Sequence, residues 1–381
     1  MKDLVGAQKL YSVGTYDRSD AASTLPKDQS ELRERGMKES YQEAIIPLTD
    51  DVIKEKYINF YKGIRFGRIL EDLDTFAVWI GYSHNRDPAK GSDQKSNLSI
   101  VTAFVDTIEV KHSRIQPDQD VKMSGHVTWA GKTSLEVTMQ LEQMYQDTWK
   151  KILDAKFVMV ARDPVAKRAA FVNPLKVIND EEKEIFEMGE QRKKKRQDQS
   201  TQSLLRTPPD AEERLLIHDL FLQTLDPNSA SFRVRVKPEN SVWMEETMLK
   251  TMTICHPEQR NLYNKVFGGF LMRKAFELAW ANANLLCQSR PYVLAVDDIL
   301  FRKPVEIGSL LFLSSQIVYT SGTKMQVKVH AEVVNPADGH HDTTNMFHFT
   351  FDSKKTNVPI LMPKSYAEAM MYLEGKRHFE R

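Results

Sequence analysis

The feature that most constrains this fold is that the chain repeats itself. In the first half, "SIVTAFVDTIEV" is followed by "GHVTWAGKTSLEVTMQLE"; in the second, "PYVLAVDDILF" is followed by "SQIVYTSGTKMQVKVHAEV". Each copy has a strand with Val-x-Ala and then an aspartate (Asp106, Asp298), another strand, a glycine turn (Gly131, Gly322) and a long strand. A unit present twice predicts two copies of one domain. Leu135, Val137, Met139 and Leu141 alternate with Glu136, Thr138, Gln140 and Glu142. Met325, Val327 and Val329 alternate with Gln326, Lys328 and His330, and Phe347, Phe349 and Phe351 keep the same period. A period of two is a half-buried strand, and the short connections predict antiparallel pairing.

Upstream of each set of strands lies one helix, "FGRILEDLDTFAVWIGY" and "GFLMRKAFELAWANA". Both are apolar on nearly every side, so protein must wrap them. The expected class is α+β: a curled antiparallel sheet around a buried helix, twice. The boundaries read as an N-terminal extension (1–40), a first unit (41–175), a charged linker (176–231), a second unit (232–352) and a tail (353–381). The linker is helical in its first part. Its basic run from Arg192 to Arg196 has no interleaved aromatic residue, which favours a solvated face over a nucleic-acid patch.

Bulk composition narrows the partners. Lys+Arg is 53 against Asp+Glu 52, a balance that gives no electrostatic case for nucleic acid. No apolar run approaches the roughly 20 residues of a membrane span. Two cysteines, Cys255 and Cys287, fit a reducing compartment better than a disulfide framework. The first twenty residues mix acids with bases, unlike an Arg-rich transit peptide.

Laying the repeat over the helix entrances brings out candidate site residues. The first unit reads Asn59, then Arg65-Phe66-Gly67, then Asp74; the second reads Asn261, then Phe267-Gly268-Gly269, then Phe276-Glu277. Asp74 faces Phe276, and Glu277 stands one residue late. One residue turns a helical side chain by about 100°, so Glu277 should point elsewhere. Gly268 and Gly269 would let a ligand oxygen reach the unpaired N–H groups of a helix N-terminus. Close packing where only glycine fits explains them equally well. Asp74 shares a face with Leu70, Ala77 and Val78, where a carboxylate needs a partner and burial raises its pKa. It either activates water or pairs structurally, Arg68 being the obvious cation. Glu71 and Asp72 are expected along the solvated edge.

Other chemistries find little support. There is no G-x-S-x-G elbow, G-x-G-x-x-G or P-loop, and Cys255-His256 lacks a partner set for zinc, so no metal or other cofactor is expected. Two cation-bearing turns, Arg302-Lys303 and Gly322-Thr323-Lys324, could dock phosphates or be plain surface charge.

The stretches "CHPEQRNLYNKVFGGFLMRKAFELAWA", "IRFGRILEDLD" and "GSLLFLSSQIV" resemble the double-hotdog acyl-coenzyme A thioesterases, as do "FVMVARD", "AFVNPL", "HFTF" and "GKRHF". The resemblance runs from about Arg35 to Phe379. It implies tandem hotdog folds that hydrolyse fatty, and also short-chain, acyl-CoA to free acid and CoA. It implies a composite site in which Asn261 orients water or thioester, the N–H of Gly268 or Gly269 polarises the carbonyl, and Asp74 activates water or attacks directly. The mirror site, with Asn59, Gly67, Phe276 and Glu277, is expected to be weak or dead. Phe270, Met272, Phe276 and Trp79 would line an acyl tunnel or form plain core. The resemblance further implies a mitochondrial matrix location and a homo-oligomer of three chains. A hydratase acting on enoyl-CoA would need an Asp/His pair at the helix entrance, for which His256 is poor support. A catalytically silent acyl-CoA-binding or scaffolding protein is the main alternative.

Overall fold

The structure is a computed structural model. It describes residues 25–86, 98–110, 115–163, 168–201, 203–229, 231–261, 263–354 and 357–380. Residues 1–24 of the N-terminal extension lie outside the described residues.

Twelve strands form one sheet. In chain order they are β1 (Gln42–Ile46), β2 (Ser99–Val105), β3 (Ile108–Glu109), β4 (Val121–Ala130), β5 (Ser134–Tyr145), β6 (Thr148–Arg162), β7 (Leu249–Ile254), β8 (Tyr292–Val296), β9 (Ile299–Phe301), β10 (Leu310–Ser321), β11 (Lys324–Val334) and β12 (His341–Asp352). Their order in space is β7-β10-β11-β12-β9-β2-β6-β5-β4-β1, with β8 bridging β12 and β3. All these pairings are antiparallel, as the short connections predict. The halves are sewn together at β9–β2, where Ile299 faces Val105, and at β8–β3, where Val296 faces Ile108.

The helices are α1 (Phe66–His84), α2 (Asp180–Thr201), α3 (Ala211–Leu222), α4 (Gly268–Cys287) and α5 (Tyr366–Phe379), besides short turns. The α1 and α4 helices are the two wrapped ones. Ile69, Leu70, Leu73, Phe76, Ala77 and Ile80 of α1 are fully buried, as are Met272, Ala275, Ala279 and Ala283 of α4. Each large apolar side chain so buried contributes about 1.5–3 kcal/mol, which is why nearly all-apolar helices end up inside. None of the described helices is long and apolar enough to cross a membrane.

The expected linker and tail turn out to belong to the sheets. Glu136 of β5 is wholly buried, and Arg192 of α2 grips it with Nη2–Oε1 at 2.5 Å and Nε–Oε2 at 3.1 Å. Arg196 stands 3.8 Å away, the indole N–H of Trp129 donates to Glu190, and Lys193 lies over the Trp129 ring. So the basic run is only partly a solvated face: Lys194 and Lys195 are exposed, whereas Arg192 and Arg196 turn to the buried carboxylate, which requires paired cations. The α5 helix docks on the second half of the sheet in the same way. Gly189 of α2 lies against Trp129 and Gly375 of α5 against Val318, both so close that a Cβ would sit 2.7 Å from its neighbour. Their starts match too. The amide of Glu182 donates to Asn179 and that of Glu368 to Ser365, while Glu182 and Glu368 accept from Ile178 and Lys364. Each unit therefore ends in an outer helix. Only the stretch carrying α3 connects them, and Glu213 of α3 is held by Arg377 of α5.

Candidate functional site

The α1 and α4 helices pack reciprocally, each with its first turn against the early turns of the other: Gly269 meets Glu71 and Asp74, and Gly67 meets Arg273 and Phe276. Glycine sets the approach. A Cβ on Gly269 would lie 2.9 Å from Glu71 Cα, Glu71 O and Asp74 Cβ; one on Gly67 would lie 3.3 Å from Arg273 O. At that closeness the Gly269 amide reaches the opposite helix. It donates to Asp74 Oδ2 at 2.6 Å, while the Thr102 hydroxyl of β2 donates to Oδ1 at 2.5 Å. Asp74 is 1 % exposed. Burial pushes its pKa up to about 6; the Thr102 and Gly269 hydrogen bonds pull it down, and the Glu71 charge adds to the rise. The result is a carboxylate that, among the described residues, has no ion-pair partner of its own, held at the positive end of a helix and poised near neutral pH.

The two glycines divide the roles left open between them. Gly269 packs the helices and gives its N–H to Asp74. Gly268 opens α4, where the helix supplies no acceptor for its N–H. A Cβ there would meet Phe301 at 3.0 Å and Asp74 Oδ1 at 3.3 Å, so this amide borders the carboxylate. Thr102 escaped the sequence reading. Pairing register locates its counterpart: Thr102 faces Met159, and Val293 faces Phe351, at matching places in the two halves of the sheet. The Val-x-Ala match aligns Val101 with Val293, one residue out of step, and so hides this equivalence in sequence. The strand-end aspartates need the same adjustment. Asp106 donates its amide to Lys156 O and Asp297 to His348 O, so Asp297 is the equivalent of Asp106, not Asp298.

The mirror position is filled. Phe66 stands where Gly268 does, Phe276 where Asp74 does and Val293 where Thr102 does. The Phe66 and Phe276 rings meet at 5.4 Å, and Phe276 also contacts Phe349 and Phe351. Glu277 points elsewhere, as its one-residue offset predicts, and pairs with Arg65 at 2.5 Å.

Asn261 and Asn59 organise their loops alike. The Asn261 Oδ1 accepts from the amides of Tyr263 and Lys265, and the Asn59 Oδ1 from those of Tyr61 and Gly63. With that oxygen committed, a ligand would meet the Nδ2 donor of Asn261. Two other expectations need correction. Arg68 pairs with Glu71 at 2.6 Å, not with Asp74, and Glu71 is 2 % exposed, not on a solvated edge. Asp72 accepts from the Tyr57 hydroxyl at 2.5 Å.

The cation-bearing turns separate. Arg302 and Lys303 follow Phe301, which touches Gly268, and Lys303 is paired with Asp342. Gly322, Thr323 and Lys324 lie at the far end of β11. There Gly322 O and Thr323 O accept from Val358 and Ser353, and Lys324 Nζ lies 6.0 Å from the Phe379 ring centre. They cannot share a phosphate site with Arg302. Phe270, Met272 and Phe276 are buried, Trp79 partly so, all within the core cluster or against it. Burial pushes the Cys255 thiol up to about 11, away from nucleophile chemistry. Among the described residues, one cluster has metal-ligand side chains: His348, Glu374 and His378. Its imidazoles stack at 3.9 Å, Lys328 binds Glu374, and Asp297 binds His378, so the cluster ties α5 to the sheet.

Comparison with known proteins places the chain in a family. A thioesterase superfamily profile matches residues 263–338. Human mitochondrial acyl-coenzyme A thioesterase 9 is 51 % identical over 383 residues, spanning 100 % of this chain and 86 % of the relative. A mouse mitochondrial acyl-coenzyme A thioesterase 9 is 52 % identical, spanning 100 % and 87 %. Among solved structures, a Staphylococcus aureus acyl-CoA hydrolase in complex with butyryl-CoA, CoA and CoA disulfide is 23 % identical. It covers 37 % of this chain and 89 % of its own, with a TM-score of 0.35. Identity of about half along the full chain leaves no ambiguity: the protein belongs to the acyl-coenzyme A thioesterase family.

Proposed function

We propose that this chain hydrolyses acyl-CoA thioesters to free acid and CoA at one composite site between α1 and α4. The observation that carries the reading is the buried Asp74 carboxylate, bonded by the Gly269 amide and the Thr102 hydroxyl. Each carboxylate oxygen keeps a second lone pair, so Asp74 can still take a proton from water. Water adds to the thioester carbonyl as Asp74 removes its proton. The Gly268 N–H receives the developing oxyanion, and the Asn261 amide orients the reacting groups. The C–S bond then breaks, and the proton on Asp74 passes to the departing thiolate. Direct attack by the carboxylate is the variant of this route. The mirror interface lacks the base, the hydroxyl and the open glycine, and works weakly or not at all.

Several further expectations rest on the relatives. Fatty and short-chain acyl-CoA are the substrate classes, the matrix of the mitochondrion is the location, and three chains form the assembly. Release of free CoA thiol from an acyl-CoA, followed with a thiol reagent, tests the function. Steady turnover is expected; binding without thiol release would make the protein a silent acyl-CoA-binding member instead.

A further inference from the structure

The interval that separates Gly67 from Gly269 and Asn59 from Asn261 also separates Glu71 from Arg273. These two residues are one another's counterparts in the repeat, and they touch: Arg273 Nε lies 2.7 Å from Glu71 Oε2. A residue on a twofold axis meets its own copy, so a dimer of identical units would bring like charges together there. Fusion of the two units lets one copy be acidic and the other basic.

The pair also sits where the helices come closest, since Gly269 packs on Glu71 and Gly67 on Arg273. Glu71 precedes Asp74 by one helical turn on the same face. Arg68 grips the same Glu71 oxygen. On the other side Arg273 Nη1 stands 3.8 Å from Glu277, which binds Arg65. A line of five alternating charges thus runs along the helix seam from the Asp74 half to the mirror half.

We propose that Glu71 and Arg273 are positioning residues for thioester hydrolysis, fixing the register of α1 against α4 and setting the field around Asp74. The inference rests on Asp74 being the base. Groups of several elements face that carboxylate. Glu71, which carries Arg68 and the α4 residue Arg273 on its Oε2, comes from α1; the Gly269 amide comes from α4; the Thr102 hydroxyl comes from β2; and the uncharged Phe301 comes from β9. Glu71 carries the anion that opposes ionisation of Asp74; Arg273 is ion-paired to that anion, and an opposite charge so close offsets its field.

The test is the pH profile of kcat/KM for the full-length Glu71→Gln and Arg273→Met variants, with thiol release as the assay. Each loses the same ion pair, and each is expected to lose on the order of 10- to 100-fold at its optimum through misplacement of the reacting groups. Their acid limbs should move oppositely: to lower pH in Glu71→Gln, to higher pH in Arg273→Met. Loss of packing alone would not split them. Arg273→Lys keeps the charge with a shorter reach, and should lose rate with its acid limb in place. Limbs that stay put, or shift together, overturn the inference. An Asp74→Asn variant that keeps its activity would overturn the underlying assignment of the base instead.

Discussion

Asp74→Asn is expected to fold, to hydrolyse acyl-CoA about 10³-fold more slowly than the wild type, and to be the more stable protein at pH 8. The rate loss is that of a general base, whose removal costs about 10²- to 10⁴-fold. The near-isosteric amide can still accept from Gly269 and donate to Thr102, so the packing should survive. The stability gain follows from the same burial that makes the carboxylate reactive. Its pKa in the fold is about 6, raised from 3.8. The fold therefore favours the protonated acid. That contribution is fully present below pH 3.8 and is lost as pH rises through about 6. At pH 8 the ionised form costs about 3 kcal/mol, from about 1.4 kcal/mol per pKa unit. Urea unfolding at pH 8 and pH 4 checks it. The variant should gain stability of that order at pH 8 and almost none at pH 4. A gain of equal size at both would mean that ionisation of Asp74 is not its origin.

Gly269→Ala is expected to injure fold and activity together. The added methyl would lie 2.9 Å from Glu71 Cα, Glu71 O and Asp74 Cβ. These are backbone atoms and the root of a side chain, so no rotamer change relieves the clash and α1 must move off α4. Overpacking of this kind costs about 1–3 kcal/mol, and a displacement near 1 Å at the reacting groups costs about 10²-fold in rate. The mirror substitution is the control. A Cβ on Gly67 has its nearest neighbours at 3.3 Å, one of them a movable arginine side chain. Gly67→Ala should lower the melting temperature less and leave kcat/KM within a few-fold. If the two alanine variants behave alike, the seam is not built around Gly269.

Much of this was legible in the sequence because repetition and periodicity are local signals. Alternation along β5, β11 and β12 identified the strands, and the apolar helices could only be wrapped. The one-residue offset of Glu277 foretold its absence from the site, since helix geometry turns a single step into a different face. Thr102 was not legible: the shared Val-x-Ala aligns Val101 with Val293, and only pairing with Met159 reveals Val293 as the counterpart of Thr102. Nor was the buried role of Glu71, because its partners come from the same turn and from the other half of the chain. The outer helices were misread for a related reason. A helix rich in Lys, Arg and Glu looks solvated until the buried Glu136 it must neutralise is known. Division of labour between Gly268 and Gly269 needed distances, since both are glycines at one helix start.

In the proposed mechanism, one of two homologous interfaces does the chemistry. Asn261 and Asn59 each accept two loop amides through Oδ1, so replacing either by alanine is expected to disturb its loop comparably. Their kcat/KM values on one acyl-CoA, measured side by side, separate structure from catalysis. The expected result is a large loss in Asn261→Ala and near-wild-type activity in Asn59→Ala. Equal losses in the two variants would contradict it and show that both interfaces work.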